Sequence, residues 1–296
     1  MTRPAPRTID EYLDDLRSAL RGEDPALIQD ALYDAEEHLR SEFAEHPGTD
    51  QSELLARIVN SYGAPDEVAD IYRDKEVVVE RALRSPRPAP RSSELGRFFG
   101  VAADPRAWAA LFYMMFALPL GIFYFVWAVV GLSLSFGLMI LIIGLPVAAL
   151  FLVTVRAIAL VEGRIIEVML GERMPRRPLY TRRGRTFWER LKTTFTDPRT
   201  WSTLFYMVLC LPLGILYFTL FVTLLALGLG LVVNPITYSV FHIGLVNINE
   251  YAWVPPLWLQ PFTIALGIAI LFGLLHLARG VAKLQGALAK QLLVPA

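Results

Sequence analysis

The chain has one cysteine in 296 residues. Cys210 sits inside an apolar run, which excludes an intrachain disulfide framework and a cysteine-based zinc site and leaves a small buried hydrophobe. Charge is missing from long stretches. Residues 107–155 hold no charged side chain, and residues 200–278 hold only Glu250. A soluble core of that length is not so free of charge, and apolar runs of about 18 residues or more read as transmembrane helices. The first 100 residues contain no apolar core segment, so no cleavable signal peptide is expected. There is no phosphate-binding loop, no metal-ligand spacing and no nucleophile–base pattern. Neither enzyme chemistry nor a bound cofactor or metal is expected. The spans also lack the paired acids and lysines of proton-driven carriers.

What is present begins with a repeat. Asp104-Pro105-Arg106-Ala107-Trp108 and Leu111-Phe112-Tyr113-Met114 return 93 positions later as Asp197-Pro198-Arg199-Thr200-Trp201 and Leu204-Phe205-Tyr206-Met207. The match continues through Leu118-Pro119-Leu120-Gly121-Ile122 and Leu211-Pro212-Leu213-Gly214-Ile215. A repeated apolar unit is a repeated membrane unit. Four spans are expected near 109–133, 136–160, 202–231 and 262–283, the first two forming a tight hairpin with its turn near Ser133–Gly137. Farther along, Val155-Arg156-Ala157 pairs with Ala278-Arg279-Gly280, an offset of 123. The second copy therefore carries a 30-residue insertion near 232–261, rich in proline and aromatics, expected to lie on the outer leaflet.

The zero net charge hides segregation: residues 9–80 hold 20 acids and 6 bases, residues 155–200 hold 11 bases and 5 acids. Arginine is dense between spans two and three, and Arg279, Lys283 and Lys290 follow span four. The connections on the other side carry no Lys or Arg, so the positive-inside bias places both termini and the central loop in the cytoplasm.

Residues 1–84 read as a small acidic helical domain. Thr8 with Glu11 forms a capping box. Asp24-Pro25 starts a second helix, with Ile28, Leu32, Ala35, Leu39 and Phe43 as its apolar stripe. Asp50 with Glu53 opens a third, which Gly63 closes. Ala64-Pro65-Asp66-Glu67 starts a fourth, with Val68, Ile71 and Tyr72 facing inward. Residues 85–103 form a basic Pro-rich linker, 104–172 membrane repeat 1, 173–196 a basic loop and 197–296 membrane repeat 2. The fold class is all-α: a cytoplasmic helical domain on a polytopic four-span bundle of two parallel helix-pair repeats.

Several positions bear on function. Asp104 and Asp197 cap helix starts, and Trp108 and Trp201 anchor them at the headgroups. Pro119 and Pro212 kink their spans and free one carbonyl each. His242, Asn247, Asn249, Glu250 and Trp253 are candidate outer-side ligand contacts. Arg156, Glu162, Arg164 and Glu167 suit a helix that leaves the membrane and ends at Gly171, where exposed ion pairs would add little. The membrane glycines allow close helix approach, which fits a compact bundle or a homo-oligomer.

Glu36-Glu37-His38-Leu39 and Tyr62-Gly63-Ala64-Pro65-Asp66-Glu67-Val68-Ala69 resemble the HAAS signalling domain of bacterial membrane proteins. Trp108, Tyr113, Leu118-Pro119-Leu120-Gly121, Gly144-Leu145-Pro146 and Arg156 with Glu162 and Arg164 resemble the bacterial putative-sensor membrane domain. Copy two departs from that pattern, with Ala269, Gln285 and Ala287 in the places of Pro146, Glu162 and Arg164. The resemblance implies membrane-linked signalling in the bacterial cytoplasmic membrane, often beside a PadR-type repressor. Gly63, Pro65, Asp66 and Glu67 form a candidate partner-binding turn. The acidic domain suits a basic cytoplasmic protein partner and repels nucleic acid. Alternatives are a scaffold subunit of a larger membrane complex and a small transporter or channel.

Overall fold

The computed structural model describes residues 6–47, 50–83, 93–141, 144–177, 195–241, 247–248, 251–252 and 255–294. The N-terminal unit has four helices: α1 (Ile9–Ala19), α2 (Pro25–Glu45), α3 (Gln51–Tyr62) and α4 (Pro65–Leu83). Their starts follow from local chemistry. The Glu11 N–H donates to Thr8 Oγ1 at 3.1 Å, and Glu11 reaches back to the Arg7 N–H rather than to that of Thr8. The Ala26 N–H donates to Asp24 Oδ1 at 2.9 Å, with Pro25 in the first turn where its missing N–H removes no bond. Gly63 ends α3 at φ +114°, a conformation open to glycine at little cost. Tyr12, Leu16, Leu20, Leu39, Leu54 and Leu55 fill the core. Val68 is buried as expected, but Ile71 is 48% exposed and Ala69 takes the inward position.

Within the stretch read as linker, residues 94–99 form a short helix, α5 (Glu94–Phe99), followed by a 3₁₀ turn to Ala103. Four long helices follow: α6 (Pro105–Leu138), α7 (Gly144–Leu170), α8 (Pro198–Phe241) and α9 (Gln260–Leu293). Each is long and apolar enough to cross a bilayer, and only 11–28% of their most apolar windows is buried. Phe116, Phe123, Leu150, Val153, Phe205 and Leu216 point outward. So much outward apolar surface needs lipid around it. The chain is a membrane protein.

Two expectations are corrected. The first hairpin does not turn at Ser133–Gly137. α6 stays helical through Leu138, a 3₁₀ turn covers Met139–Leu141, and α7 starts at Gly144. Ser135 does not break the helix, because its hydroxyl is satisfied by the Gly131 carbonyl at 2.7 Å, four residues back. Gly144 is the residue that closes the turn: a Cβ there would lie 2.3 Å from the Met139 nitrogen. Likewise α8 does not stop at 231. It runs through Pro235 to Phe241, ten residues into the insertion, before a two-residue hairpin pairs Asn247 with Ala252 and Ile248 with Tyr251.

α6 and α8 pack against each other at the centre, with α7 against α6 and α9 against α8. The central contact is backbone on backbone. A Cβ on Gly121 would lie 2.4 Å from the Cys210 carbonyl oxygen, and one on Gly214 would lie 2.5 Å from that of Ala117. These are corresponding positions of the two sequence copies, so the contact is reciprocal. Gly121→Ala or Gly214→Ala should destabilise the bundle by about 1–3 kcal/mol through overpacking, read as a lower thermal unfolding midpoint in detergent. Gly137→Ala, with open space around it, should leave that midpoint unchanged or raise it.

Candidate functional site

The crossing of α6 and α8 builds a polar centre in an apolar bundle. Tyr113 and Tyr124 of α6 and Tyr206 and Tyr217 of α8 occupy equivalent positions in the two copies, at an offset of 93. Tyr113 and Tyr124 are 11 residues apart, about three helical turns, so they share one face. A tyrosine hydroxyl buried there needs a partner. Glu162 of α7, 2% exposed, supplies it. Its Oε1 accepts from Tyr113 at 2.8 Å and Tyr206 at 2.9 Å, and its Oε2 accepts from Tyr124 at 2.6 Å. Gln285 of α9 extends the network: Nε2 donates to the Tyr206 oxygen at 3.2 Å, and Oε1 accepts from Tyr217 at 3.1 Å. Cys210, Gly121 and Gly214 complete the lining of a small cleft around these groups.

Glu162 is therefore not an exposed charge at a helix end. Nor does Gln285 drop out of copy two's role, since it shares the network of the residue it replaces. The sequence carried a signal for this: hydroxyl-bearing aromatics recurring within charge-free runs.

A second polar site joins the N-terminal unit to the bundle. α7 ends at Gly171 (φ +79°), and the chain turns into an irregular segment. Arg173 donates to Asp30 Oδ2 at 2.9 Å and to Glu76 Oε1 at 3.0 Å. The backbone N–H groups of Arg176 and Arg177 both donate to Asp30 Oδ1, at 2.7 and 2.8 Å. Arg177 also pairs with Asp34 at 2.7 Å, and Gln29 donates to the Arg177 carbonyl at 2.6 Å. Lys290 of α9 bonds Asp24. Glu167, buried at 3%, pairs with Arg164 and with Arg176 at 2.9 Å. Burial raises the Asp30 carboxyl above its ordinary value, against the lowering pull of Arg173 and the two N–H groups. Burial works against the Arg173 charge, but its bonds to Asp30 and Glu76 carry it above the ordinary arginine value.

Cross-copy ion pairs frame the same end of the bundle. Arg156 of the first copy lies 3.9 Å from Asp197 of the second, and Arg279 of the second lies 3.5 Å from Asp104 of the first. Both aspartates also cap their helices, accepting from the N–H of Arg106 and Arg199.

The expected site residues fare differently. His242, Asn249, Glu250 and Trp253 lie outside the described residues, and Asn247 sits in the short hairpin. Pro119 and Pro212 lie inside α6 and α8, two residues before the crossing glycines. Trp108 and Trp201 are half exposed, and their ring N–H groups donate to the Ala102 and Phe195 carbonyls at 2.9 Å. The Gly63 carbonyl accepts from Tyr12, and Glu67 accepts from the Ala64 N–H at 3.0 Å. Pro65 and Asp66 open α4. Among the described residues no cluster could hold a metal ion.

A family model described as "Putative sensor" matches residues 113–293, and one described as HAAS matches residues 11–71. No curated protein and no solved structure matches the chain.

Glu162→Leu should leave the three tyrosine hydroxyls without their acceptor and lower stability by about 3 kcal/mol or more, at roughly 1–3 kcal/mol per buried unsatisfied group. Glu162→Gln keeps an acceptor oxygen and should cost less than half as much. Unfolding midpoints of the two variants in the same detergent check this ordering.

Proposed function

Since the chain belongs to the Sensor family and carries a HAAS domain before its membrane bundle, we propose that it is a non-enzymatic membrane sensor whose HAAS domain engages a cytoplasmic regulator. One observation carries the reading. α7 places Glu162 in the polar centre of the bundle and Glu167 at the HAAS joint, only five residues apart, or about 7.5 Å along the helix. Glu167 holds Arg176, whose backbone N–H is bonded to Asp30 of HAAS. A rearrangement at the α6–α8 crossing that pulls on Glu162 therefore moves the element that fixes the HAAS domain.

The reading places both termini and the Arg173 segment in the cytoplasm of a bacterium, with the 232–261 insertion outside. It assigns residues 1–84 to the output and the two membrane repeats to the input. Trp108 and Trp201 hold the inner ends of α6 and α8 at the headgroups, and the Gly63–Glu67 turn lies on the partner-facing domain. A regulator with a basic surface, such as a PadR-type repressor, complements 20 acids against 6 bases in residues 9–80. The absence of charge from most of the spans speaks against coupled transport.

Crosslinking in native membranes, followed by affinity capture and mass spectrometry, tests the reading. A soluble regulator should be captured by the full chain and not by a chain lacking residues 1–85. Its yield should change in the Glu162→Gln variant. Equal capture of the same membrane subunits by the full and shortened chains would replace the sensor with a scaffold.

A further inference from the structure

The HAAS face that meets the bundle is built to hold a peptide, and it already holds one. The segment Arg173–Arg177 is read by its main chain as well as its side chains. Buried Asp30 accepts two successive backbone N–H groups with one oxygen and the Arg173 guanidinium with the other. Gln29 donates to the Arg177 carbonyl, Glu76 accepts from Arg173 Nε, and Asp34 pairs with Arg177. The Arg177 guanidinium also lies over the Tyr33 ring, 5.7 Å from its centre. Main-chain contacts at a bend, together with a guanidinium shared between two carboxylates, select a bent arginine-bearing segment and not merely positive charge.

Nothing in the geometry requires the segment to come from the same chain. The contacts join residues about 97–148 positions apart in sequence, so the segment acts as a tethered ligand at high local concentration. One of its contacts is a weak point: Arg177 is about half exposed and Asp34 about a third, so that pair is screened by solvent. We propose that the face formed by Gln29, Asp30, Tyr33, Asp34 and Glu76 is the partner-docking surface of the HAAS domain. Its partner presents an irregular segment with arginines at an i, i+4 spacing and a bend at the second, and Arg173–Arg177 is the chain's own competitor for that surface. Docking on the bundle masks the surface, and release exposes it. Because the segment competes, a partner's apparent affinity is its intrinsic affinity multiplied by the fraction of molecules that are open.

The inference rests on the proposed sensor reading but is tested without the regulator. The probe is a fluorescent peptide of residues 171–178, titrated onto the full-length protein in nonionic detergent. The Arg173→Glu/Arg177→Glu variant, whose own segment is repelled by Asp30, Asp34 and Glu76, should bind the probe at least tenfold more tightly than wild type. Adding Asp30→Ala should abolish that gain, and a peptide of scrambled order should bind neither form tightly. Equal affinity of wild type and the Arg variant, or insensitivity to Asp30→Ala, overturns the inference. If the Arg variant does not remain folded, hydrogen exchange on wild type decides. Excess peptide should speed exchange of the Arg176 and Arg177 amides at least tenfold, and unchanged exchange at peptide saturation sinks the idea. Either negative result leaves the regulator-capture test untouched, so failure of the competitor and failure of the sensor reading are separable.

Discussion

The bundle depends on one close approach, the meeting of α6 and α8 at Gly121 and Gly214. With glycine on both helices, each backbone occupies the space in which the other would carry a Cβ. In lipid there is no hydrophobic force to press helices together, so association rests on packing of this kind and on hydrogen bonds. The approach has a chemical result. It brings Tyr113 and Tyr124 on one helix and Tyr206 on the other within reach of a single carboxyl group. Pro119 and Pro212, just before the glycines, have no backbone N–H to donate to the preceding turn. The apolar packing and the polar network are therefore one structure, and neither can be altered without the other.

The same helix that supplies Glu162 also reaches the HAAS joint. Glu162 and Glu167 are both buried on α7, and Glu167 faces Arg164 and Arg176. Asp30 and Arg173 at the HAAS joint are about a tenth exposed or less. Removing one partner of a buried pair costs far more than an exposed pair contributes, on the order of 3–5 kcal/mol against less than about 1 kcal/mol. The joint thus has a firm centre at Asp30–Arg173 and a soft rim at Asp34–Arg177. A contact of that build holds one geometry but can be opened from its edge.

Much of the architecture was legible because its determinants are local. Asp24-Pro25 and Asp104-Pro105 announce helix starts through groups two residues away. Gly63 and Gly171 end helices through their own backbone freedom. Charge-free runs announce spans without any knowledge of packing. The sites were less legible because their determinants are distant. Asp30 lies on a helix already full of acids, and nothing in α2 distinguishes it from Glu37. Only Arg173, 143 positions away, makes it an anchor. Glu162 looked like one of several charges at a helix end because the three hydroxyls that bury it come from α6 and α8. The turn of the first hairpin was displaced for a smaller reason: Ser133 and Gly137 read as turn residues, yet a serine can bond back to its own helix and a glycine can be tolerated in one.

The difference between the two copies at this centre has its own logic. Tyr206 gives its only hydroxyl proton to Glu162, so its oxygen must be satisfied by a donor. An ionised glutamate at position 285 could offer only acceptors there and would set a second carboxyl group beside the first in an apolar bundle. Glutamine removes both problems. Its amide N–H donates to Tyr206 while its carbonyl still accepts from Tyr217. One carboxyl and one amide let the tyrosine set close into a single network that two carboxylates would break. The departure of the second copy is thus what allows the first copy's glutamate to be buried, and the duplicated unit functions as an unequal pair.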